Sequence, residues 1–293
     1  MCPARLPDGV TTHPSSSGAE ELRAATEACT LRLDLHGAHL LSWMPAGGED
    51  LLWLSPEAVR APGRAIRGGI PLCAPWFAGG PDGEHTPSHG PARTQPWQLR
   101  EAHVEPDGTV DLTLATTADG VDLTLALSAG ATQLHLELTT ALPADAEPRR
   151  VEAALHTYLA VHDVRATSVT GLAGSVVVDK NARSVGEAGE TLRPDGPTDL
   201  IHRTAGPVTL EDGERSVRLE TQGAADTVVW TPWAEGAAGM TDVPDDGWHR
   251  FLCVETACIG PRRDEVDHSI ALEPGGSHAL AVTFTPSDAG GAA

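Results

Sequence analysis

Residues 110–141 read VDLTLATTADGVDLTLALSAGATQLHLELTTA. Val110, Leu112 and Leu114 alternate with Asp111 and Thr113. Val121, Leu123, Leu125 and Leu127 repeat the pattern, and so do Leu134, Leu136 and Leu138. A period of two places every apolar residue of a run on one face of an extended chain, the mark of half-buried antiparallel strands. Outward from this stretch the same alternation recurs at Leu31, Leu33 and Leu35, at Val217, Leu219 and Thr221, and at Leu280, Val282 and Phe284. Gly, Pro, Asp or Asn bound the runs. Short strands at roughly 8–12-residue spacing predict an all-β sandwich or barrel. The best helical signal is Ala19–Ala28 (AEELRAATEA), rich in helix formers. With no Pro- or Ser-rich linker in mid-chain, one domain is expected over 19–285, preceded by a flexible leader (1–18) and followed by a flexible tail (286–293).

The 293 residues carry 20 Lys plus Arg against 41 Asp plus Glu, a formal charge of −21. Only one residue, Lys180, is a lysine. Nucleic-acid binding needs clustered cations to displace counterions, so that class is disfavoured. No run approaches the roughly 18 apolar residues of a membrane span. The N-terminal stretch lacks a basic start followed by an apolar core, so a cytoplasmic protein with no membrane partner is expected, and a monomer. The five cysteines form no C-x-x-C pair, which argues against a disulfide framework or a thiolate zinc site. Among 13 histidines there is no H-E-x-x-H, and no metal site is expected.

Three segments break the alternation. Ile66–Phe77 (IRGGIPLCAPWF) joins an arginine to a glycine pair and ends in aromatics, and Ser88–Arg93 (SHGPAR) follows closely. Arg67 and Arg93 are candidates to clamp an anion, since guanidinium matches carboxylate and phosphate oxygens. Trp76 and Phe77 are candidates for an apolar wall against a sugar face. In Ala154–Leu159 (ALHTYL), parity sets Ala154, His156 and Tyr158 on one face. In Phe251–Cys258 (FLCVETAC), Cys253, Glu255 and Ala257 share a face. A carboxylate among apolar neighbours is costly unless it is paired or its pKa rises, which makes Glu255 a candidate general base.

These segments, in this order, resemble the hexose-phosphate mutarotases of the aldose 1-epimerase superfamily. DLLWLS at Asp50–Ser55, the IRGGIP and SHGPAR loops, ALHTY, Thr198-Asp199-Leu200, the Met240–Gly247 block, CVETA and LEPGG at Leu272–Gly276 all match that family's motifs. Two positions depart from the pattern: Pro91 after His-Gly, and Ile201-His202 after the Asp. The resemblance implies a galactose-mutarotase-like antiparallel β-supersandwich. It implies an isomerase that needs no cofactor and interconverts the α and β anomers of a hexose 6-phosphate, glucose 6-phosphate above all. Glu255 is implied as general base and His156 as general acid. His89, Asp199, Arg67, Arg93 and Trp76 are implied as substrate contacts. His156 is expected to need no large pKa shift. The alternatives are a free-aldose mutarotase, a non-catalytic sugar-binding module, and a glycoside hydrolase or lyase. The last of these usually needs two carboxylates.

Overall fold

A computed structural model describes residues 6–264 and 266–288. Each alternating run becomes a strand. Val110–Ala118, Val121–Ala129 and Leu134–Ala141 pair antiparallel in succession, and their leucines are buried on one face. They lie in a nine-stranded antiparallel sheet, continued on one side by Gln98–Val104 and on the other by Ser277–Asp288, Arg215–Gln222, Val208–Glu211, Ser168–Thr170 and Thr191–Leu192. A second, eight-stranded sheet runs in the order Ser184–Glu187, Val176–Asp179, Thr198–His202, Asp226–Thr231, Phe251–Cys258, Ala153–Leu155 and Leu72–Cys73, with Tyr158–Ala160 also paired to Phe251–Cys258. The main core fills the space between the sheets. It joins Leu112, Leu125, Leu136 and Phe284 of the larger sheet to Leu155, Leu159, Val229, Leu252 and Val254 of the smaller. The architecture is all-β and antiparallel, as the alternation predicts. Among the described residues, no helix is long and apolar enough to cross a membrane.

The N-terminal segment departs from expectation. Val10–Pro14 and Glu20–Ala25 form a hairpin that continues into Cys29–Asp34 and His39–Pro45 as a four-stranded sheet. Thus the expected leader holds a paired strand, and the expected helix at Ala19–Ala28 is absent. Pairing overrides helix propensity because Leu22 and Ala24 enter the core, while Glu21 on the other face meets Arg23, Arg32 and Arg60 at 2.6–2.8 Å. Those three guanidinium groups outweigh burial and hold the Glu21 carboxyl at about 2. Residues 1–5 of the expected leader and 289–293 of the expected tail lie outside the described residues. Pro286–Asp288 end the strand Ser277–Asp288, paired to Arg215–Val217.

Candidate active site

On the eight-stranded sheet, the face turned away from the main core gathers the chemistry, and antiparallel register arranges it. Val178↔Ile201, Ile201↔Val228 and Val228↔Glu255 make one row across four strands. Asp199↔Trp230, Trp230↔Cys253 and Cys253↔Tyr158 make the next. The pairings Leu155↔Thr256 and Tyr158↔Cys253 share one register, so His156 falls opposite Glu255 at the end of the first row. Cross-strand neighbours on one face have Cβ atoms about 5 Å apart. The His156 Nε2 and Glu255 Oε1 atoms accordingly lie 3.5 Å from one another. Both residues are buried, and neither His156 Nδ1 nor Glu255 Oε2 has a hydrogen-bond partner.

The two Gly-rich loops roof this floor. Gly69 has φ +62°, and a Cβ there would stand 2.2 Å from the Leu40 carbonyl oxygen. Only glycine lets the loop lie that close, and this seats Arg67 at the rim. The Arg67 guanidinium donates to the Tyr158 hydroxyl (2.9 Å), and its Nε sits 3.2 Å from Asp242 Oδ2, out of line for a hydrogen bond. Pro91 opens a short 3₁₀ turn, Ala92–Thr94, that presents Arg93. Arg93 donates to the Ser88 carbonyl, and its Nε is unpartnered. His89 adopts φ +64°, an uncommon conformation for a residue with a side chain. Its Nδ1 accepts from the Ala78 N–H at 3.3 Å and lies 3.4 Å from Cys73 Sγ. A backbone N–H can only donate, so the ring proton of neutral His89 sits on Nε2, a donor at the cavity.

Together these residues line one cavity of about 410 Å³. It brings together six of the seven residues that the family resemblance implies: Arg67, His89, Arg93, His156, Asp199 and Glu255. Trp76 is the exception. Its ring N–H donates to the Pro87 carbonyl (2.8 Å) and its ring packs on His85, so it braces the loop from behind while Phe77 lines the cavity. A buried indole needs a partner for its N–H, and the loop supplied one away from the cavity. Lys180, Trp230, Tyr158 and Asp242 are among the lining residues not singled out as contacts. Lys180 was detectable as the single lysine of an acidic chain, and Asp242 lies in the Met240–Gly247 block. Trp230 becomes visible only once Asp226–Thr231 is paired. Ile201 packs beneath the site with Val178 and Val228, and His202 points to the opposite face by parity.

Burial sets the proton affinities. Desolvation, then the Asp199 carboxylate, pushes Glu255 well above the usual carboxyl range, with Lys180 and Arg93 opposing. Desolvation, followed by Arg93 and Arg67, pushes His156 well below the usual imidazole range. His156 therefore does shift strongly, contrary to expectation, because the histidine is enclosed and faces two cations. His89 is likewise held neutral, by burial first and then by Arg93.

An antiparallel supersandwich with a buried carboxyl–imidazole pair on the face away from its core belongs to the galactose-mutarotase-like class of sugar isomerase folds. A crystal structure described as "a putative mutarotase" from Salmonella typhimurium superposes with a TM-score of 0.86 at 26% identity, covering 97% of this chain and 95% of that one. An Escherichia coli K12 protein described as "Putative glucose-6-phosphate 1-epimerase" is 36% identical over 236 residues, 76% of this chain and 78% of its own length. A Cenchrus ciliaris protein of the same description is 31% identical over 283 residues, covering 88% and 82%. The aldose 1-epimerase family model matches residues 21–285. The chain belongs to that family and is an isomerase with mutarotase activity.

Proposed function

We propose that this protein interconverts the α and β anomers of a hexose 6-phosphate, with glucose 6-phosphate as the preferred substrate. One observation carries the choice: Arg67 and Arg93 line the same cavity as the Glu255–His156 pair. A phosphomonoester bears about −1.5 to −2 at neutral pH. The protein's charge of −21 repels it at a distance, but salt screens that field beyond about 8 Å, inside which two arginines act directly. An anion held there also offsets the push that both arginines exert on His156, which favours its protonated form.

Glu255 takes the proton of the anomeric hydroxyl as His156 gives one to the ring oxygen. The bond from carbon 1 to the ring oxygen breaks, and the hydroxyl oxygen becomes the aldehyde. Rotation about the adjacent carbon–carbon bond and reclosure on the other carbonyl face give the other anomer, with the two groups exchanging roles. The two oxygens share carbon 1, so an acid and a base 3.5 Å apart reach both. The pair needs one proton between its members. Burial favours that proton on the carboxyl, and transfer to His156 gives the carboxylate–imidazolium form with the same proton count. Asp199 orients sugar hydroxyls, and His89 donates from Nε2 near the reacting oxygens. None of these steps needs a redox cofactor. The four described cysteines are free and buried, which suits a reducing, cytoplasmic setting.

A free aldose is the second reading, favoured by the Asp242 carboxylate that already pairs with Arg67. Comparing kcat/KM for anomer interconversion of glucose 6-phosphate, glucose and galactose separates the two. The phosphate reading expects a preference of at least tenfold for the phosphorylated sugar. Equal or greater values for the free sugars would overturn it.

A further inference from the structure

Lys180 lies one residue beyond the strand Val176–Asp179 and extends the second row of the floor, its N–H bonded to the Asp199 carbonyl at 2.9 Å. Parity puts it on the face of Val178, and it lines the cavity. Its ammonium group sits 2.8 Å from Asp199 Oδ2 and 5.9 Å from the centre of the Phe77 ring. Asp199 and Glu255 stand on the two strands that flank Asp226–Thr231, on one face. Two carboxyl groups on the floor of a partly closed cavity raise each other's hold on protons, and a cation on one of them relieves the other.

We propose that Lys180 is a positioning residue of the acid–base site. By holding Asp199, it sets the pH range in which the Glu255–His156 pair carries the single proton that ring opening needs. This rests on the acid–base reading given above, but not on the choice of phosphorylated over free sugar. Other groups also face Glu255: His156 from the link between Ala153–Leu155 and Tyr158–Ala160, Tyr158 from the latter strand, Cys253 from its own, Cys73 from the edge strand Leu72–Cys73, and His89 and Arg93 from the roof. Arg67 and Asp242 stand at the rim. Replacing Lys180 leaves all of these in place, so a displaced profile reports the Lys180–Asp199 pair.

Strands are spaced about 4.8 Å, so a charge three strands away is about 14 Å distant along the sheet. At an effective dielectric near 20, its loss moves a titration by about one pH unit. Removing a cation raises proton affinity at both steps of a coupled pair, so the whole bell slides upward whichever member holds the proton.

The test is the pH profile of kcat for glucose 6-phosphate and glucose in the wild type, Lys180→Met and Lys180→Arg. The expectation for Lys180→Met is both limbs raised by about one unit, with activity lost on the acid side and gained on the alkaline side. KM is expected to change less than threefold, and Lys180→Arg should restore the profile. A ¹³C titration of labelled glutamate side chains reads the same displacement at Glu255 without turnover, and Lys180→Gln serves if the methionine variant does not fold. A fixed profile and a fixed Glu255 titration would overturn the proposal. So would a KM increase confined to the phosphorylated sugar, which would make Lys180 a direct phosphate ligand. A wild type that turns over no sugar would count against the acid–base reading, while the glutamate titration would still decide the role of Lys180.

Discussion

Replacing Glu255 by glutamine removes one proton acceptor and almost no volume. The side chain is 1% exposed, Oε1 faces His156 Nε2 at 3.5 Å, and Oε2 has no partner in the protein. An amide keeps this shape and can still hydrogen-bond, but cannot take the anomeric proton. General acid–base assistance contributes about 10²–10⁴-fold per group, or about 3–5 kcal/mol of barrier. Glu255→Gln is therefore expected to lower kcat by two to four decades while KM stays within a few-fold. The fold should persist, because a carboxyl that burial already drives toward its neutral form is replaced by a neutral group. The pH dependence of stability supplies an internal check. A carboxyl whose folded-state pKa is raised contributes stability that is full below its unfolded value and lost as pH rises through the folded value. The wild type should thus lose stability relative to Glu255→Gln on going alkaline. Polarimetry or exchange NMR reads the rate, and urea melts at several pH values read the stability. A variant that kept near-wild-type kcat would refute the role given to this carboxyl.

Three further outcomes follow from the geometry. Arg93→Ala should raise KM for glucose 6-phosphate about 10–100-fold, from the loss of a charge-assisted contact of about 1.5–3 kcal/mol, and leave glucose little changed; parallel saturation curves test this. Gly69→Ala should destabilise the fold by more than about 1 kcal/mol, since φ +62° disfavours a side chain and the new Cβ would meet the Leu40 carbonyl at 2.2 Å; a melt that does not change would contradict it. His202 is buried and held neutral by desolvation at about 4, against an ordinary value of 6.5. Its lowered folded-state pKa gives stability present above pH 6.5 and lost as pH falls toward 4, so His202→Gln should flatten the acid side of the stability curve by about 3 kcal/mol.

Leucine alternation made the nine-stranded sheet legible because one face of strands such as Val121–Ala129 and Leu134–Ala141 is buried and the other is not, whereas Phe251–Cys258 in the smaller sheet is buried on both faces. It failed at AEELRAATEA, where helix formers occupy a strand whose polar face carries Glu21 into a cluster of three arginines drawn from three separate stretches of chain. No local window contains that cluster. Parity within ALHTYL and FLCVETAC placed His156 and Glu255 on definite faces. The register that makes them neighbours depends on pairing between distant strands. Trp76 looked like a sugar platform by its position beside Phe77, but its N–H found Pro87 and turned the ring away. Trp230 stayed hidden for a similar reason: it reaches the cavity only through a row of side chains that runs across strands.

The central claim is that one buried carboxyl and one buried imidazole, sharing a proton, open and reclose a phosphorylated pyranose. Exchange NMR on glucose 6-phosphate labelled with ¹³C at carbon 1 tests it most directly, by measuring the α-to-β exchange rate as wild-type protein is added. The rate should rise linearly with protein concentration, and the slope should fall by about two to four decades when Glu255→Gln is added in its place. An exchange rate that stayed at the spontaneous value at every concentration of the wild type would contradict the claim.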